Sequence, residues 1–532
     1  MAGCAKWARY LAVVVLLAAG CYVLLSHADH GISNDEEVQH VYGRLLFDFY
    51  LSGLTDLRAF AYKNLYLYGG LFDLIAASLE RLFGFDPDGE AVWTMRHLLS
   101  GIFGLAGLAG CWMLGRRVGG EWVGLLALIL LLITGAWTGA MFTHTKDIPF
   151  AAAMVWVLYF TLGVLRGMPT PGLGERIGLG VALGCAFGLR VGAVFGVFYL
   201  GVGILVTAWL RAEGNWRLSA GMVVRSALAL WPSVVLAFVL MGVFWPWAVR
   251  SPENLWTAMT TFSHFSFELY TVLDGKVMAN GEVPPYYLLA YLLVRLPEVF
   301  LLGLGCACVA GLSARWQKHD VLRRPDWLPL VLAGCFPVLY TLLAAPPLYN
   351  GMRHFTFILP PLAVLAAAGL VAGWRAMSKF NGGRRVAALS LTVLVSLSLV
   401  GLARLHPYEH LAYNALIGGV EGTPGKWEQD YWADSLREAR SMLEARHKHE
   451  PEPVHPYKVA VCAESLQVAV GLDPRFVVTR DWHEADFFLA ATHMACDEVL
   501  EGEVIGRVER AGVTLAVVKD RRNLVGEARK PR

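Results

Sequence analysis

Charged residues are scarce in this chain of 532 residues: Asp, Glu, Lys and Arg together make up 17% of it. An ordinary soluble domain carries about 25%. Apolar residues reach 56%, and the mean hydropathy is +0.49. This balance excludes a soluble enzyme held to a membrane by one anchor. The formal net charge is only +2, and no basic stripe is present, which argues against a dedicated nucleic-acid binder.

Cysteine motifs for metal binding or redox chemistry are also lacking. The nine cysteines lie mostly inside apolar blocks, with no CxxC pair and no zinc-ligand spacing. Cys462 and Cys496 lie instead in the polar C-terminal part, where a disulfide and two buried thiols are both open interpretations. No internal repeat or low-complexity tract occurs. Long apolar runs are therefore the dominant feature of the sequence.

These apolar runs predict about eleven transmembrane helices. A helix that crosses about 30 Å of hydrocarbon needs about 20 residues. The block 177–210 is too long for one span and is interrupted by Arg190, so it predicts two short helices that meet there. The nine other runs that meet or approach the required length are 10–26, 93–114, 122–141, 148–165, 227–247, 286–312, 328–345, 355–374 and 386–403.

The charges between the spans predict an orientation. With a cytoplasmic N-terminus, the inner segments carry 17 Lys and Arg, among them Arg323 and Arg324, against five Asp and Glu. The first outer loop, 27–91, reverses this balance with eleven acids against four bases. The positive-inside rule therefore favours this orientation. A cleaved signal peptide is the alternative for the first run, but the apolar character continues past Cys21, which favours a signal anchor.

The chain from Arg404 onward has the composition of a soluble domain. Its pattern predicts an amphipathic helix at 430–446 and then short strands. The predicted strands are Tyr457–Ala463, Phe476–Arg480, Ala485–Ala491 and Val513–Val518. An odd number of spans places this region outside. The predicted organisation is thus a transmembrane catalytic domain, 1–403, followed by a small outer α/β domain, 404–532.

Three acids and a histidine follow the first span directly. If this segment is helical, Glu36 and His40 share one face, and Asp35 lies near the helix N-terminus. A carboxylate at this place can accept a proton from a hydroxyl nucleophile, particularly where partial burial raises its pKa. The structural alternative is a helix cap with solvated acids, and the spacing alone favours that alternative.

A second polar segment joins the third and fourth spans on the same outer face. It contains His144, Lys146 and Asp147, and Pro149 follows in the first turn of the next helix. Asp147 before that proline also suits a helix cap. A short outer loop nevertheless brings these charges against the helix bundle, where each needs a partner or a ligand. Both interpretations stay open.

Two arginines lie in or beside later spans. Arg295 falls well inside the run 286–312, and Arg353 with His354 opens the span at 355–374. A guanidinium group binds phosphate through two parallel hydrogen bonds, so the phosphate of an anionic lipid is one candidate ligand. The alternatives are an internal ion pair for Arg295 and interfacial anchoring for Arg353.

At these four places together the sequence resembles the polyprenyl-phosphate-sugar glycosyltransferases of the GT-C fold, in particular the protein O-mannosyltransferases and the lipid A aminoarabinose transferases. The resemblance covers residues 1 to about 440. It implies a GT-C-like bundle of about eleven transmembrane helices. The residues that carry it are Asp35-Glu36 with His40 and Gly43, Lys146-Asp147 with Pro149, Tyr286-Tyr287 with Arg295 and Pro297, Arg353-His354 with Leu359-Pro360-Pro361, and the stretch from His406 to Trp432.

The resemblance implies transfer of a sugar from a polyprenyl-phosphate donor to an acceptor hydroxyl outside the membrane, with inversion. It implies that Asp35 is the catalytic base, that Glu36 supports it, and that Asp147 is a second acid facing the same cavity. Cationic side chains can stabilise a phosphate leaving group, so neither a metal nor another cofactor is expected. The implied donor-phosphate and substrate-binding residues are Lys63, Lys146, Arg295, Arg353, His354, His40 and Tyr68.

Three other functions stay open: a GT-C enzyme with a lipid-diphosphate donor, a lipid or sugar transporter, and an inactive membrane scaffold. Transporters often have pseudo-symmetric halves with polar groups at mid-membrane, whereas here the polar segments cluster on one face. The expected location is a bacterial inner membrane, with the C-terminal domain in the periplasm. The expected partners are a lipid-linked sugar donor and a protein, lipid A, glycan or lipid acceptor, without nucleic acid.

Overall fold

The computed structural model describes residues 2–263, 269–313 and 326–528. The predicted inner-loop residues Arg323 and Arg324 lie outside the described residues. Helices dominate this part of the chain. In order they are α1 Ala2–Ser26, α2 Glu36–Leu51, α3 Leu71–Phe83, α4 Glu90–Gly119, α5 Glu121–Leu132, α6 Gly135–Thr138, α7 Ala140–Thr143, α8 Asp147–Gly167, α9 Leu173–Phe187, α10 Val194–Arg211, α11 Trp216–Ala229, α12 Trp231–Phe244, α13 Pro246–Arg250, α14 Pro252–Ser263, α15 Tyr287–Arg295, α16 Glu298–Leu312, α17 Trp327–Ala344, α18 Leu359–Met377, α19 Gly383–Leu405, α20 Leu436–His447, α21 Leu466–Ala469 and α22 Arg522–Ala528.

The helices confirm a polytopic membrane protein. Within the described residues, seven helices are long and apolar enough to cross a membrane, and three bent helix pairs bring that number to ten. Helix α9 has only 15 residues, and counting it as a short span gives the predicted eleven. The predicted break at Arg190 is confirmed, since α9 ends at Phe187 and α10 begins at Val194.

Two runs predicted as continuous spans are broken. Within 286–312, helices α15 and α16 meet at 117°. Pro297 explains this break, because the residue before a proline is driven out of helical conformation, and Leu296 is extended. Within 122–141, α5 and the α6–α7 pair meet at 73°. Beyond that bend a side chain at Gly139 would collide with the backbone of His410, so the glycine lets the C-terminal segment approach the helix closely.

Backbone carbonyl groups at the Arg190 break accept hydrogen bonds from the segment 27–91. The amide of Gly69 donates to the carbonyl of Leu189 at 3.2 Å, and the amide of Leu71 donates to that of Gly188 at 2.9 Å. These bonds satisfy carbonyl groups that the interrupted helix leaves without partners. Residues 69–71 therefore pack against the end of α9 and the turn that leads into α10.

The segment 27–91 forms a packed layer rather than an open connection. Gly43 of α2 lies so close to α3 that a side chain there would meet the backbone of Asp73. The Asp73 carboxylate in turn lies 3.1 Å from the Arg96 guanidinium of α4, and both side chains are buried. Such a pair fixes α3 against α4, because either charge alone would be costly to bury. This layer holds the segment that contains Asp35.

The C-terminal region contains a five-stranded sheet with the strand order β4-β3-β5-β7-β6. Strand β3 runs parallel to β4 and β5, while β7 is antiparallel to β5 and β6. Cys462 and Cys496 form a disulfide across 6.2 Å between their Cα atoms. The strands, together with a short hairpin (β1 and β2) that precedes α15, are β1 Tyr270–Leu273, β2 Lys276–Ala279, β3 Tyr457–Cys462, β4 Phe476–Val478, β5 Phe487–Ala491, β6 Glu503–Arg510 and β7 Val513–Asp520.

Two details of this region differ from prediction. The four predicted strands are present, but β6 escaped prediction because it lies at the sheet edge and only Val508 within it is buried. The predicted helix 430–446 begins late, at Leu436. The reason is a turn closed by Asp430, whose carboxylate accepts from the backbone amides of Asp434 at 3.1 Å and Ser435 at 2.9 Å.

Candidate functional site

The two adjacent acids at the start of α2 have opposite environments. Glu36 is fully buried, and one of its oxygens accepts from the Ser33 amide at 2.8 Å and lies 3.2 Å from His97 Nε2. The Asp35 side chain is 47% exposed. Successive side chains on a helix diverge by about 100°, so the burial of Glu36 directs Asp35 outward. Glu36 is thus a residue that holds the helix start in place.

The Arg353 guanidinium lies beside the exposed Asp35. Its Nη2 atom is 3.4 Å from Asp35 Oδ2. It also lies 4.3 Å from the centre of the Trp432 ring and 5.4 Å from that of Tyr349. Its Nε atom donates to His354 Nε2 at 3.2 Å. Rings stacked on a guanidinium fix its plane, so Arg353 presents a positioned pair of donors next to a carboxylate.

Two further cations lie around the Tyr68 ring. Lys146 Nζ is 4.2 Å from the ring centre, and the Arg190 guanidinium is 5.9 Å from it. Arg190 also donates to the carboxylate of Asp147. Burial lowers the pKa of Lys146 to about 8, although the negative charges of Asp73 and Asp35 oppose that shift.

These residues form one group, which we call the Asp35 cluster. Its members are Asp35, Tyr68, Lys146, Asp147, Arg190 and Arg353. Three cations against two carboxylates leave a formal excess of +1. An excess of positive charge among aromatic rings, at the ends of membrane helices, suits a phosphate with an apolar tail. Asp35 adds an accessible proton acceptor at the edge of the cluster.

Arg353 also lines a cavity that adjoins the cluster. Tyr431 lies 2.9 Å from His144 Nε2, and Trp432 Nε1 donates to the same nitrogen at 2.7 Å. An indole nitrogen can only donate, so His144 Nε2 is unprotonated, and burial lowers the His144 pKa further. The charged and polar side chains that line this cavity are His144, Arg295, Asn350, Arg353, Thr356, His410, Glu428 and Tyr431.

Glu428 is the acid of this adjoining cavity. One of its oxygens accepts from the Val272 amide at 3.1 Å, and the other lies 3.2 Å from His493 Nε2. Burial raises the pKa of Glu428 to about 7. His493 comes from the segment after β5, so the C-terminal region supplies part of the cavity surroundings.

Three residues predicted for the site have other environments. Lys63 is exposed, with its Nζ 5.7 Å from the Tyr62 ring. His40 is buried, 3.7 Å from Glu80 and 5.0 Å from the Trp93 ring, and burial lowers its pKa to about 3. The structure therefore brings neither residue into the Asp35 cluster. Arg295 lines the adjoining cavity, but its guanidinium donates to the His410 carbonyl and stacks on a tyrosine.

Sequence reasoning assigned no role to several residues of the site. Arg190 could have been predicted as a site residue, because a charge inside an apolar block is usually functional. It was used only to place the break between two helices. Glu428 and His493 carried none, since both lie in polar sequence without a recognisable spacing. Within the described ranges, no group of three or more His, Cys, Asp or Glu side chains is arranged to hold a metal ion.

Neither a family model nor a curated protein matches the chain. Among solved structures it is similar to ArnT from Cupriavidus metallidurans bound to undecaprenyl phosphate, with 17% identity, a TM-score of 0.46, and 97% of this chain and 98% of that chain covered. It is also similar to the oligosaccharyltransferase AglB from Archaeoglobus fulgidus in complex with an inhibitory peptide and a dolichol-phosphate, with 11% identity, a TM-score of 0.46, and coverages of 91% and 69%.

A third similar structure is the arabinofuranosyltransferase AftD from Mycobacteria, with 14% identity, a TM-score of 0.45, and coverages of 97% of this chain and 40% of that chain. These neighbours are GT-C glycosyltransferases, the family that the sequence motifs resemble.

Proposed function

We propose that this protein is a membrane glycosyltransferase that moves a sugar from a polyprenyl-phosphate donor to an acceptor hydroxyl. The observation that carries the proposal is the pairing of the accessible Asp35 carboxylate with the Arg353 guanidinium at 3.4 Å, beside Lys146 and Arg190. The carboxylate can take the proton from the acceptor hydroxyl. The neighbouring cations can stabilise the phosphate that leaves the donor.

The reaction is a single displacement. Asp35 takes the proton of the acceptor hydroxyl while the hydroxyl oxygen attacks the anomeric carbon of the donor sugar. The bond from that carbon to the phosphate oxygen breaks, and its electron pair leaves with the polyprenyl phosphate. Attack from the face opposite the phosphate inverts the anomeric centre. The Asp147 carboxylate accepts a hydrogen bond from Arg190. In this reaction Asp147 therefore orients the Arg190 guanidinium and does not attack the sugar.

Arg353, Lys146 and Arg190 stabilise the phosphate as its negative charge grows. The charge is greater in the transition state than in the bound donor, so fixed cations lower the barrier. These side chains also supply the positive charge that a divalent ion would otherwise provide, and we propose a reaction that needs no metal. His354 and the two rings on Arg353 fix the guanidinium plane.

The proposal includes an arrangement in the membrane. Residues 1–403 form the transmembrane catalytic domain, and residues 404–532 form an outer domain that covers the cavity and places His493 near Glu428. The charge pattern of the loops supports a cytoplasmic N-terminus and a periplasmic C-terminal domain in a bacterial inner membrane. The sugar acceptor would then approach from the periplasmic side.

The test is transfer from a panel of radiolabelled lipid-linked sugars in membranes that contain the protein. We expect label to move from a polyprenyl-monophosphate sugar into protein or lipid, and the labelled product identifies the acceptor class. Transfer only from diphosphate donors would replace this proposal with the diphosphate-donor enzyme. Movement of lipid or sugar across sealed vesicles without covalent transfer would replace it with a transporter.

The lowered pKa of Lys146 predicts that kcat/KM for the lipid donor falls at alkaline pH. Its ammonium group is charged below the pKa of about 8 and neutral above it. We therefore expect kcat/KM for the lipid donor to fall by half near pH 8 and then about tenfold per pH unit, because kcat/KM reports the ionisation of the free enzyme. A pH–rate profile of Lys146→Arg is the control, since arginine stays charged. The same alkaline limb in that variant would contradict the assignment.

A further inference from the structure

The turn that precedes Arg353 has a backbone that few residues adopt. Asn350 and Gly351 both have left-handed conformations, with φ angles of 53° and 65°. A residue other than glycine is strained in that region, although asparagine tolerates it better than most. A short 3₁₀ helix, Arg353–Ile358, follows directly. The position of the Arg353 side chain therefore depends on the contacts that hold this turn.

The amide of Gly351 begins a buried chain of hydrogen bonds. It donates to the Tyr287 hydroxyl at 2.9 Å, and that hydroxyl lies 2.5 Å from Thr271 Oγ1. Thr271 Oγ1 in turn donates to a carboxylate oxygen of Glu428. Tyr287, Thr271 and Glu428 are fully buried. We call this chain of hydrogen bonds, from Gly351 to Glu428, the Tyr287 relay.

The bonds of the Tyr287 relay all point in one direction. Each hydroxyl group has a single proton to donate. The Thr271 proton is directed to Glu428, so the proton between Thr271 and Tyr287 belongs to the tyrosine. The tyrosine oxygen then accepts from the Gly351 amide. Aligned hydrogen bonds polarise and strengthen one another, so the carboxylate at the far end strengthens the bond at Gly351.

The Tyr287 relay joins the two proposed domains. Tyr287 is the first residue of α15, in the transmembrane part of the chain. Glu428 belongs to residues 404–532, and its second carboxylate oxygen lies 3.2 Å from His493 Nε2. The relay therefore connects the outer domain to the turn before Arg353.

The outer domain also contacts the Arg353 side chain directly. The Trp432 ring centre lies 4.3 Å from the guanidinium carbon. This ring fixes the plane of the guanidinium group, whereas the Tyr287 relay fixes the backbone from which the side chain extends. Binding of a phosphate through two parallel hydrogen bonds requires both the correct plane and the correct position.

We propose that the outer domain sets the position of Arg353 through the Tyr287 relay, with Tyr287 and Glu428 as positioning residues. This inference rests on the proposed function and adds residues that act on the donor phosphate through Arg353. When the relay is complete, the guanidinium group meets the phosphate in one orientation. When the relay is cut, the turn relaxes and the growing charge of the leaving phosphate is stabilised less well.

The first experiment measures hydrogen exchange and needs no sugar transfer. The purified full-length protein is compared with Tyr287→Phe and Glu428→Ala, and exchange of the Gly351 amide is read from overlapping peptides by mass spectrometry. Tyr287→Phe removes the acceptor of that amide, so we expect its exchange rate to rise about tenfold. Glu428→Ala should raise the rate at least about threefold, because the effect passes along the relay.

Two control variants guard against misfolding in this experiment. Glu428→Gln keeps a side-chain oxygen that can accept from Thr271, so the Gly351 exchange rate should stay within about twofold of the parent. Tyr270→Phe removes an exposed hydroxyl next to Thr271 along the chain and should have as small an effect. Unchanged exchange in Tyr287→Phe would overturn the proposal. A rise in Tyr287→Phe without a rise in Glu428→Ala would overturn the connection to the outer domain.

A second experiment tests whether the relay acts through Arg353. In the transfer assay, Tyr287→Phe should lower kcat/KM for the lipid donor about tenfold and leave KM for the acceptor within about twofold. In the Arg353→Ala background the same substitution should change kcat/KM less than about twofold, because the positioned group is gone. Equal losses in both backgrounds would show that Tyr287 only supports the fold. If no transfer occurs in any protein, the proposed function fails, while the exchange rates still decide whether the relay holds the turn.

Discussion

Replacing Asp35 with Asn is expected to lower the rate of sugar transfer about 10³-fold, within the range that a positioned general base contributes. The amide keeps the size of the side chain and a contact with Arg353, but it cannot take a proton from the acceptor hydroxyl. The donor should still bind, so KM for the lipid donor should change little. The measurement is single-turnover transfer of labelled sugar in purified protein, at donor concentrations above KM.

Glu37→Gln is the matched control for this substitution. Glu37 lies two residues along the chain, also carries a carboxylate in the first turn of α2, and is half-buried like Asp35. We expect its variant to retain more than about half of the parent rate, since surface charges contribute little. Full activity of Asp35→Asn at normal expression would refute the role of Asp35 as base. Equal losses in both variants would point to disruption of the helix start.

Replacing Arg353 with Ala is expected to lower kcat/KM for the lipid donor about 10²- to 10³-fold. Losing one positioned donor to a developing oxyanion costs about 3–4 kcal/mol, and Arg353 also binds the phosphate in the ground state. We therefore expect both a higher KM for the donor and a lower kcat. KM for the acceptor should stay within about twofold, because Arg353 lies on the donor side of Asp35 in the proposed reaction.

Arg353→Lys separates charge from geometry. Lysine keeps the positive charge but loses the planar pair of donors that stacks on Trp432 and Tyr349, so we expect it to recover only about tenfold of the lost activity. Steady-state kinetics with both substrates make the comparison. Equal effects of Arg353→Ala on donor and acceptor KM, with a lowered melting temperature, would show that Arg353 only anchors the fold.

The helical class and most element positions could be predicted because the physics behind them is local. Hydrocarbon thickness fixes the length of an apolar run, and a charge such as Arg190 interrupts it. The bends between Leu132 and Gly135 and at Pro297 are different. The bend at Pro297 follows from a pre-proline turn, which was overlooked in the sequence. After the 73° bend, Gly139 lies against the backbone of His410, about 270 residues away, and no window of sequence contains that contact.

The same distinction between local sequence effects and long-range contacts explains which residues of the candidate site could be predicted. The motif around Asp35 could be chosen from its position after the first span. The spacing predicted that Glu36 and His40 share one face of a helix, and on spacing alone it favoured a helix cap with solvated acids. In the structure that face is buried: Glu36 meets His97 and His40 meets Glu80. Helical spacing identifies residues that point the same way without saying whether solvent or protein lies there. Glu428 and His493 meet only through the tertiary fold, so no local pattern reveals them.

The distance along the chain between Asp35 and Arg353, 318 residues, has a consequence for the newly made protein. A ribosome adds about 5–20 residues per second, so Asp35 leaves it roughly 15–60 seconds before its cation does. Trp432, which stacks on that cation, comes later still. In the later part of this interval Lys146 and Arg190 are already made, but the proposed phosphate site lacks Arg353 and the Trp432 ring beside it. If the proposed reaction is correct, activity therefore begins only once the last third of the chain has folded.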